Sequence, residues 1–305
     1  MEKPYILHMI TSAKNLSPFD VNMALDAGWI TAMPYTNVTV EEVQGLVHDA
    51  IFSRSPKAAK RTGFFIGGRD TLVAVQMLRV AKASMVSPFE VSAFADPSGA
   101  FTTAAGMVAL AEHSLERQHQ TDLNGKTVLV LGGTGPVGQI SAVLSAQAGA
   151  KVYLIGRQLE KSQQVAEMCN REFGNGQTAI QGEADANKGE LIQSADVVFA
   201  TGAAGIQLLS AEMVAAAPRL KVAADVNAVP PSGIAGLSAH HKGTPIEGSR
   251  SGAVGIGALA IGNVKYQTQS RLLYTMRELK RDSDKPVYLH YDDAFETARE
   301  IVRRK

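Results

Sequence analysis

Cysteine is nearly absent from this 305-residue chain, and the single thiol, Cys169, has no partner for a disulfide within the chain. A small disulfide-stapled domain is therefore excluded, and a reducing compartment suits the sequence. A predominance of one charge is also missing, because 30 basic and 29 acidic residues give a formal net charge of +1. A chain with this balance has no excess of positive charge to attract a nucleic acid or an anionic membrane surface. We expect neither as a partner.

Long apolar runs are missing as well, and none reaches the roughly 20 residues that a membrane-spanning helix needs. The chain begins Met-Glu-Lys-Pro-Tyr and enters a short apolar run without the layout of a signal peptide. We therefore expect a cytoplasmic protein. Hydrophobic residues make up 45% and charged residues 19% of the chain, which is typical of a globular protein long enough for two domains.

The sequence does contain a regular alternation of short apolar runs with amphipathic stretches. The predicted strands cover residues 6–10, 30–33, 64–66, 91–95, 127–131, 152–155, 178–180, 197–200 and 222–225. The predicted helices between and after them include residues 39–52, 70–83, 102–117, 265–280 and 292–304. Such alternation favours parallel sheets covered by helices.

The fold class that follows is α/β, with a Rossmann-type doubly wound parallel sheet, a second α/β domain, and a cleft between them. The polar stretch QHQTDLNGK, residues 118–126, has turn character and is interpreted as the domain junction. We predict one domain from residues 1–124 with 268–305, and a nucleotide-binding domain from residues 125–267.

The most specific motif is LVLGGTGPVGQISA, residues 129–142, which contains Gly133-x-Gly135-x-x-Gly138. An apolar strand precedes it and an alanine-rich helix follows, which is the context that a dinucleotide-binding fingerprint requires. Glycines allow close approach of a pyrophosphate, and the helix N-terminus offers free N–H groups. We predict that Gly133, Thr134, Gly135, Pro136, Val137 and Gly138 bind a dinucleotide; a glycine-rich turn without a ligand is the alternative.

The end of the second Rossmann strand indicates which dinucleotide is bound. NAD-binding domains usually place a carboxylate there for the ribose hydroxyl, whereas this sequence reads Gly156-Arg157, with Lys161 one turn later. Arg157 suits a 2′-phosphate, so we expect NADP, with NAD also accepted. The alternative for Arg157 is a solvated surface residue.

Two later strand ends face the same predicted crevice, because ligands bind at the carboxyl ends of parallel strands. One carries Thr201, Gly202 and Ala203, which we expect along the nicotinamide ribose. The other carries Asp225 and Asn227, which either hydrogen-bond the cofactor or organise a turn.

The chain resembles the NAD(P)-dependent methylene-tetrahydromethanopterin dehydrogenases of methylotrophic bacteria and, more distantly, the methylene-tetrahydrofolate dehydrogenases. The resemblance covers nearly the whole chain. It is carried by SPFDVN (17–22), IFSR (51–54), FIGG (65–68), FADPSGAFTT (94–103), DVNAVPPSGIAG (225–236) and GIGALAIGNVKY (255–266).

This resemblance implies transfer of a hydride from a methylene-tetrahydropterin to the nicotinamide, in the oxidation of formaldehyde-derived one-carbon units. It also implies that the domain of residues 1–124 and 268–305 binds the pterin substrate. The two nitrogens beside the methylene carbon stabilise the cation that is left, so no metal or general base is needed and positioning is the main task. We also expect a homo-oligomer. The paired His240 and His241 lack the spacing of a metal site.

A carboxylate close to the developing cation would favour it, and Asp20 is the first candidate; a helix-start acid is the alternative. Lys265 is the second catalytic candidate, because it could orient the substrate. The alternative for Lys265 is a surface residue. Three further candidates could hydrogen-bond the edge of the pterin ring: Asp96, Thr102 and Thr103. The alternative is that they form a capping turn.

One departure narrows the resemblance. Bifunctional folate enzymes carry a Tyr-x-x-x-Lys pattern in the first domain, and this chain has none before residue 120. The resemblance therefore favours a dehydrogenase without cyclohydrolase activity. A tetrahydrofolate-specific dehydrogenase and a non-catalytic NADP-binding sensor remain the competing hypotheses.

Overall fold

The computed structural model describes residues 2–174, 179–278 and 285–304. The chain divides into a first unit, Met1–Thr102 with Tyr266–Thr297, and a second unit, Thr103–Lys265 with Ala298–Lys305. Compared with the predicted division, residues 103–124, 266–267 and 298–305 group differently. The assignment of the pterin to one domain and of NADP to the other stays a prediction.

The elements of the amino-terminal part follow the predicted alternation. In chain order they are β1 (Ile6–Ile10), α1 (Pro18–Asp26), β2 (Thr31–Tyr35), α2 (Val43–Phe52), α3 (Pro56–Ala59), β3 (Thr62–Ile66), α4 (Thr71–Ala83), β4 (Ser92–Ala95) and α5 (Ala100–His119).

The remaining elements complete both units. They are β5 (Thr127–Leu131), α6 (Pro136–Gln147), β6 (Lys151–Gly156), α7 (Leu159–Glu172), β7 (Ile180–Ala184), α8 (Lys188–Leu191), β8 (Val197–Ala200), α9 (Ala211–Ala215), β9 (Val222–Asp225), β10 (Lys242–Pro245), β11 (Val254–Ile256), α10 (Ala258–Thr275), β12 (Tyr288–Leu289) and α11 (Tyr291–Arg303).

The first unit is built on a parallel sheet with the strand order β12-β4-β3-β1-β2. Strands β3 and β4 are buried along their whole length, as expected for parallel strands covered on both faces. The buried indole N–H of Trp29 donates to the carbonyl of Leu273 on α10 at 3.1 Å. The chain order of this sheet reverses between β1 and β3, which is where such sheets place ligands.

The second unit contains the Rossmann sheet, with the order β10-β11-β9-β8-β5-β6-β7. All neighbouring strands are parallel except β10, an antiparallel edge strand paired with β11. Read from β7, this is the doubly wound order with its reversal between β5 and β8. The predicted α/β class, with a Rossmann-type sheet and a second α/β unit, is confirmed.

Asp196 joins the starts of the central strands at the edge opposite the predicted crevice. Its fully buried carboxylate accepts the Thr127 N–H at 3.1 Å and the ammonium of Lys221 at 2.8 Å. Burial raises the pKa of Asp196, but these hydrogen bonds and the charges of Lys221 and Arg219 outweigh burial and hold it below its usual value. The ionised carboxylate therefore ties β5, β8 and β9 together.

Several predicted elements need adjustment. The Thr39 N–H donates to the Glu42 carboxylate at 2.7 Å as a capping box requires, yet α2 begins only at Val43. The strand predicted for residues 178–180 is found at Ile180–Ala184, with Thr178 outside the described residues, as is the predicted helix end at Lys280. Strands β10, β11 and β12 were not predicted, because they are two to four residues long.

No helix in the described ranges combines the length and the apolar character needed to cross a membrane.

Candidate active site

A cleft of about 300 Å³ opens at the carboxyl ends of β5, β6 and β8, where the strand order of the Rossmann sheet reverses. Residues from three of the four predicted segments meet here: Gly132, Thr134 and Gly135 after β5, Gly156 and Arg157 at β6, and Thr201, Gly202 and Ala203 after β8. The fourth segment, with Asp225 and Asn227, does not line this cleft. The topology thus brings together side chains and backbone that are up to 71 positions apart in the sequence.

In the turn from β5 to α6, backbone segments approach one another so closely that glycine is required. Gly132 has a positive φ of +70°, and a Cβ on it would lie 2.6 Å from Cα of Gly202. A Cβ on Gly138 would lie 2.6 Å from Cα of Gly133. These glycines therefore make the tight turn and the helix-to-strand contact, two of the three roles that glycine has in this motif.

Gly135 has the third role. It is the N-cap of α6 in an extended conformation, and its Cβ position is 3.6 Å from the nearest protein atom that would meet it, the carbonyl oxygen of Gly132. The protein itself therefore leaves room at this position. Pro136 occupies the first helical turn, and the N–H groups of Val137 and Gly138 belong to the turn in which helices leave amides for an anion. This cradle fits a pyrophosphate.

The end of β6 offers a positive charge. Arg157 lines the cleft with an exposed side chain, and within the described ranges it forms no ion pair. Gly156 is enclosed, because a Cβ there would lie 2.6 Å from Oγ of Ser162. Lys161 lies exposed in the first turn of α7 and is not part of the cleft lining. A contact of Arg157 or Lys161 with a 2′-phosphate stays a prediction.

Two hydrogen bonds hold the end of β8 beside the end of β5. The Thr201 hydroxyl and the Thr201 N–H both donate to the carbonyl of Leu131, each at 2.9 Å. A Cβ on Gly202 would lie 2.8 Å from the side chain of Leu208, so the wall of the cleft is packed at this point.

Asp225 and Asn227 organise the loop after β9. The Asp225 carboxylate is 1% exposed and accepts the N–H groups of Asn227 at 2.9 Å and of Gly233 at 2.6 Å. Asn227 accepts the Val229 N–H and donates to the Pro231 carbonyl, both at 2.9 Å. Burial raises the pKa of Asp225, although the backbone hydrogen bonds act against this shift. These bonds are those of a turn, the alternative that the sequence left open for Asp225.

In the first unit, Asp96 caps α5. Its fully buried carboxylate accepts the N–H of Phe101 at 2.9 Å, the N–H of Thr102 at 3.2 Å and the hydroxyl of Thr102 at 2.6 Å. These contacts are those of the capping alternative, and Thr102 is fully buried as well. Thr103, the next residue of α5, is half-buried. Substrate binding by these three residues stays a prediction.

Asp20 and Lys265 occupy different surroundings. Asp20 lies in the first turn of α1, is 3% exposed, and accepts the side-chain amide of Gln269 at 2.8 Å. Gln269 is fully buried, and its Oε1 has no hydrogen-bond partner among the described residues. Lys265 is half-buried on α10 in the second unit. The catalytic roles of Asp20 and Lys265 stay predictions.

Sequence reasoning did not name five residues that line the cleft: Gly132, Ile155, Asp185, Ile206 and Leu208. Asp185 directly follows β7, and its carboxylate is 2.9 Å from the ammonium of Lys188. The rule that strand ends face the crevice would have identified Asp185 if the end of β7 had been placed at Ala184. Ile206 and Leu208 lie within the loop between β8 and α9 and carry no such signal.

The described part of the chain contains neither a group of side chains arranged for a metal nor a reactive thiol. Its His, Cys, Asp and Glu side chains form no group of three or more arranged to hold a metal ion. Burial raises the pKa of the Cys169 thiol to about 12, so this cysteine is an inert core residue.

Comparison with known proteins identifies relatives over nearly the full length. Residues 18–98 match the family described as methylene-tetrahydromethanopterin dehydrogenase, N-terminal, and residues 111–232 match shikimate / quinate 5-dehydrogenase. The chain is 44% identical over 298 residues to the NAD(P)-dependent methylenetetrahydromethanopterin dehydrogenase of Methylorubrum extorquens, covering 97% of this chain and 98% of that protein.

A second relative and a solved structure also match this chain. The chain is 37% identical over 262 residues to the bifunctional protein MdtA of the same organism, covering 86% of this chain and 89% of that protein. The structure of quinate dehydrogenase from Corynebacterium glutamicum in complex with NAD superimposes with a TM-score of 0.53 at 14% identity. That alignment covers 90% of this chain and 98% of the other, and it shows a shared fold.

The glycine turn generates a prediction that separates binding from folding. Gly135→Ala should leave the free energy of unfolding within about 0.5 kcal/mol of wild type, since its Cβ would make only an ordinary contact, 3.6 Å from the Gly132 carbonyl oxygen. The same methyl group should lower NADP affinity about tenfold or more, because it occupies the pyrophosphate cradle. Gly138→Ala is the matched control and should destabilise the fold by about 1–3 kcal/mol through overpacking.

The two variants are compared by denaturant unfolding and by fluorescence titration with NADP. Wild-type affinity in Gly135→Ala would remove this turn from the binding site, and wild-type stability in Gly138→Ala would contradict the packing described here.

Proposed function

This chain belongs to the methylene-tetrahydromethanopterin dehydrogenase family, and from that premise we propose that it transfers a hydride from methylene-tetrahydromethanopterin to NADP, with NAD also accepted. The product is the methenyl cation. The observation that carries the proposal is the glycine cradle with Arg157 beside it, at the strand reversal of a Rossmann sheet.

The protein's contribution is position rather than acid–base chemistry. The nicotinamide ring, when bound, accepts the hydride, and the two nitrogens of the substrate stabilise the carbon that loses it. The amides at the start of α6 would hold the pyrophosphate, and Thr201 and Gly202 shape the wall beside the ribose. Arg157 would bind the 2′-phosphate through a charge-assisted contact.

For the pterin, we propose the carboxyl ends of β1, β3 and β4 in the first unit, at the strand reversal between β1 and β3. Ser98 supports this location. It has a left-handed φ of 53° in the loop after β4, and its hydroxyl donates to the carbonyl of Gly68 at 2.7 Å. Strained non-glycine residues of this kind cluster at ligand sites.

The cellular context is proposed from the same premise. We propose a cytoplasmic enzyme of methylotrophic formaldehyde oxidation that assembles as a homo-oligomer. Phe19 and Leu25 on α1, Ile30 directly before the edge strand β2 and Met33 within it are 44–66% exposed, which supports an interface with a second copy. The molar mass of the wild-type protein in solution tests this assembly.

The proposed reaction is tested by initial rates of the wild-type protein with methylene-tetrahydromethanopterin and methylene-tetrahydrofolate, each with NADP and with NAD. We expect one reduced cofactor per methenyl product, with the methanopterin substrate and NADP giving the highest kcat/KM. A higher kcat/KM with the folate would instead support the folate dehydrogenase. A protein that binds NADP but reduces none with either substrate would support the sensor.

Cofactor choice is tested at Arg157. Arg157→Ala should raise KM for NADP by an amount corresponding to about 1.5–3 kcal/mol, the contribution of one hydrogen-bonded charge contact. KM for NAD should change little. Lys161→Ala removes an exposed charge outside the cleft lining and serves as the matched control, with a smaller effect on NADP. Equal losses with both cofactors in Arg157→Ala would show that Arg157 does not bind the 2′-phosphate.

The role of Asp20 is tested by separating its charge from its hydrogen bond. Asp20→Asn should lower kcat about tenfold to a thousandfold, or roughly 1.4–4 kcal/mol, if the negative charge stabilises the developing cation. Gln269→Leu removes the bonded amide but keeps the charge, and should have a smaller effect on kcat. A change of less than about threefold in kcat for Asp20→Asn would leave Asp20 as a helix-start residue.

A further inference from the structure

A second cavity, of about 430 Å³, lies within the second unit and shares no lining residue with the dinucleotide cleft. Its walls come from the end of α5, the edge strand β10, the end of β11 and the first turns of α10. Leu110, Ile256 and Val264 provide an apolar floor, while His113, Arg117 and Lys242 contribute basic groups. The lining contains no acidic side chain.

The basic groups of this cavity are not neutralised by the protein. Within residues 2–174, 179–278 and 285–304, Arg117 and Lys242 form no ion pair, and both side chains are exposed. Of the acids on the same stretch of α5, Glu112 is held by Arg299 through contacts of 2.6 and 2.8 Å. Glu116 is not part of the lining. The cavity therefore presents an uncompensated positive charge.

The walls of the cavity are fixed by close contacts. The side-chain amide of Gln118 donates to the carbonyl of Gly243 at 3.0 Å, which joins α5 to β10. The helices α5 and α10 pack closely, because a Cβ on Gly106 would lie 3.3 Å from the backbone nitrogen of Lys265. A preformed cavity needs little ordering when a ligand enters, which favours binding.

A lysine on an edge strand has a common structural explanation, since it discourages pairing with another sheet. That explanation applies to Lys242 alone. It does not account for Arg117 and His113, which reach the same cavity from α5, or for the apolar floor between them. An anionic group between the basic side chains, attached to an apolar body, satisfies all of these features.

We propose that this cavity binds a small organic phosphate, with its phosphate between Arg117 and Lys242 and its apolar part on the floor formed by Leu110, Ile256 and Val264. Arg and Lys are the side chains that most often bind phosphate, and Arg does so with two parallel hydrogen bonds. The inference concerns a site separate from the dinucleotide cleft and does not depend on the reaction proposed above.

The test uses naphthyl phosphate as the probe, measured by isothermal titration calorimetry with the dinucleotide cleft saturated by NADP. Naphthol, which lacks the phosphate, and naphthoate, which carries a carboxylate, are titrated under the same conditions. We expect saturable binding of one naphthyl phosphate per chain, with weaker binding of naphthoate and the weakest binding of naphthol.

The variant Arg117→Gln/Lys242→Gln should bind naphthyl phosphate about tenfold more weakly or worse. The control Arg250→Gln/Lys285→Gln removes two exposed charges elsewhere and should stay within about twofold of wild type. Unfolding midpoints check that both variants fold, and their NADP affinity should be unchanged. Absent binding, equal losses in the two variants, or naphthol binding as tightly as naphthyl phosphate would overturn the site. Tighter binding of naphthoate would overturn its assignment to phosphate.

Discussion

The close approach of backbone to backbone at the ends of β5 and β8 is the constraint on which the rest of the second unit depends. A side chain on Gly132 or Gly138 would force the backbones apart, because each Cβ would lie 2.6 Å from the Cα of another glycine. The absence of side chains brings the start of α6 directly onto the strand reversal. The partial positive charge of that helix start, and the open position at Gly135, are consequences of this packing.

Buried polar groups hold the loops at the strand ends within each unit. Asp225, Asn227, Thr201 and Asp96 use their oxygens on nearby backbone and hydroxyl groups, as buried polar atoms must. Arg157 is exposed in the cleft, so its charge is available to a bound molecule. The predicted site residues therefore divide into those whose polar atoms are bonded within the protein and those, such as Arg157, whose side chains are exposed.

The features that local sequence determines could be predicted. The glycine spacing, the strands on either side of it and Arg157 at the end of β6 are all encoded within about thirty residues. Features set by tertiary packing could not be predicted in this way. The bond from Gln269 to Asp20, 249 positions away, arises only when distant segments fold together. The turn contacts of Asp225 and the capping contacts of Asp96 are local, and the sequence offered them only as alternatives to ligand roles. Asp185 was missed for a smaller reason, because β7 ends four residues later than its pattern suggested.

In the proposed function, the chain positions the pterin substrate and NADP for direct hydride transfer from the methylene carbon. The most direct measurement uses methylene-tetrahydromethanopterin deuterated at that carbon, with wild-type protein and NADP, and determines the isotope content of the NADPH by mass spectrometry. We expect one deuterium in each NADPH formed, on one face of the nicotinamide. NADPH without deuterium, or no NADPH at all, would contradict it.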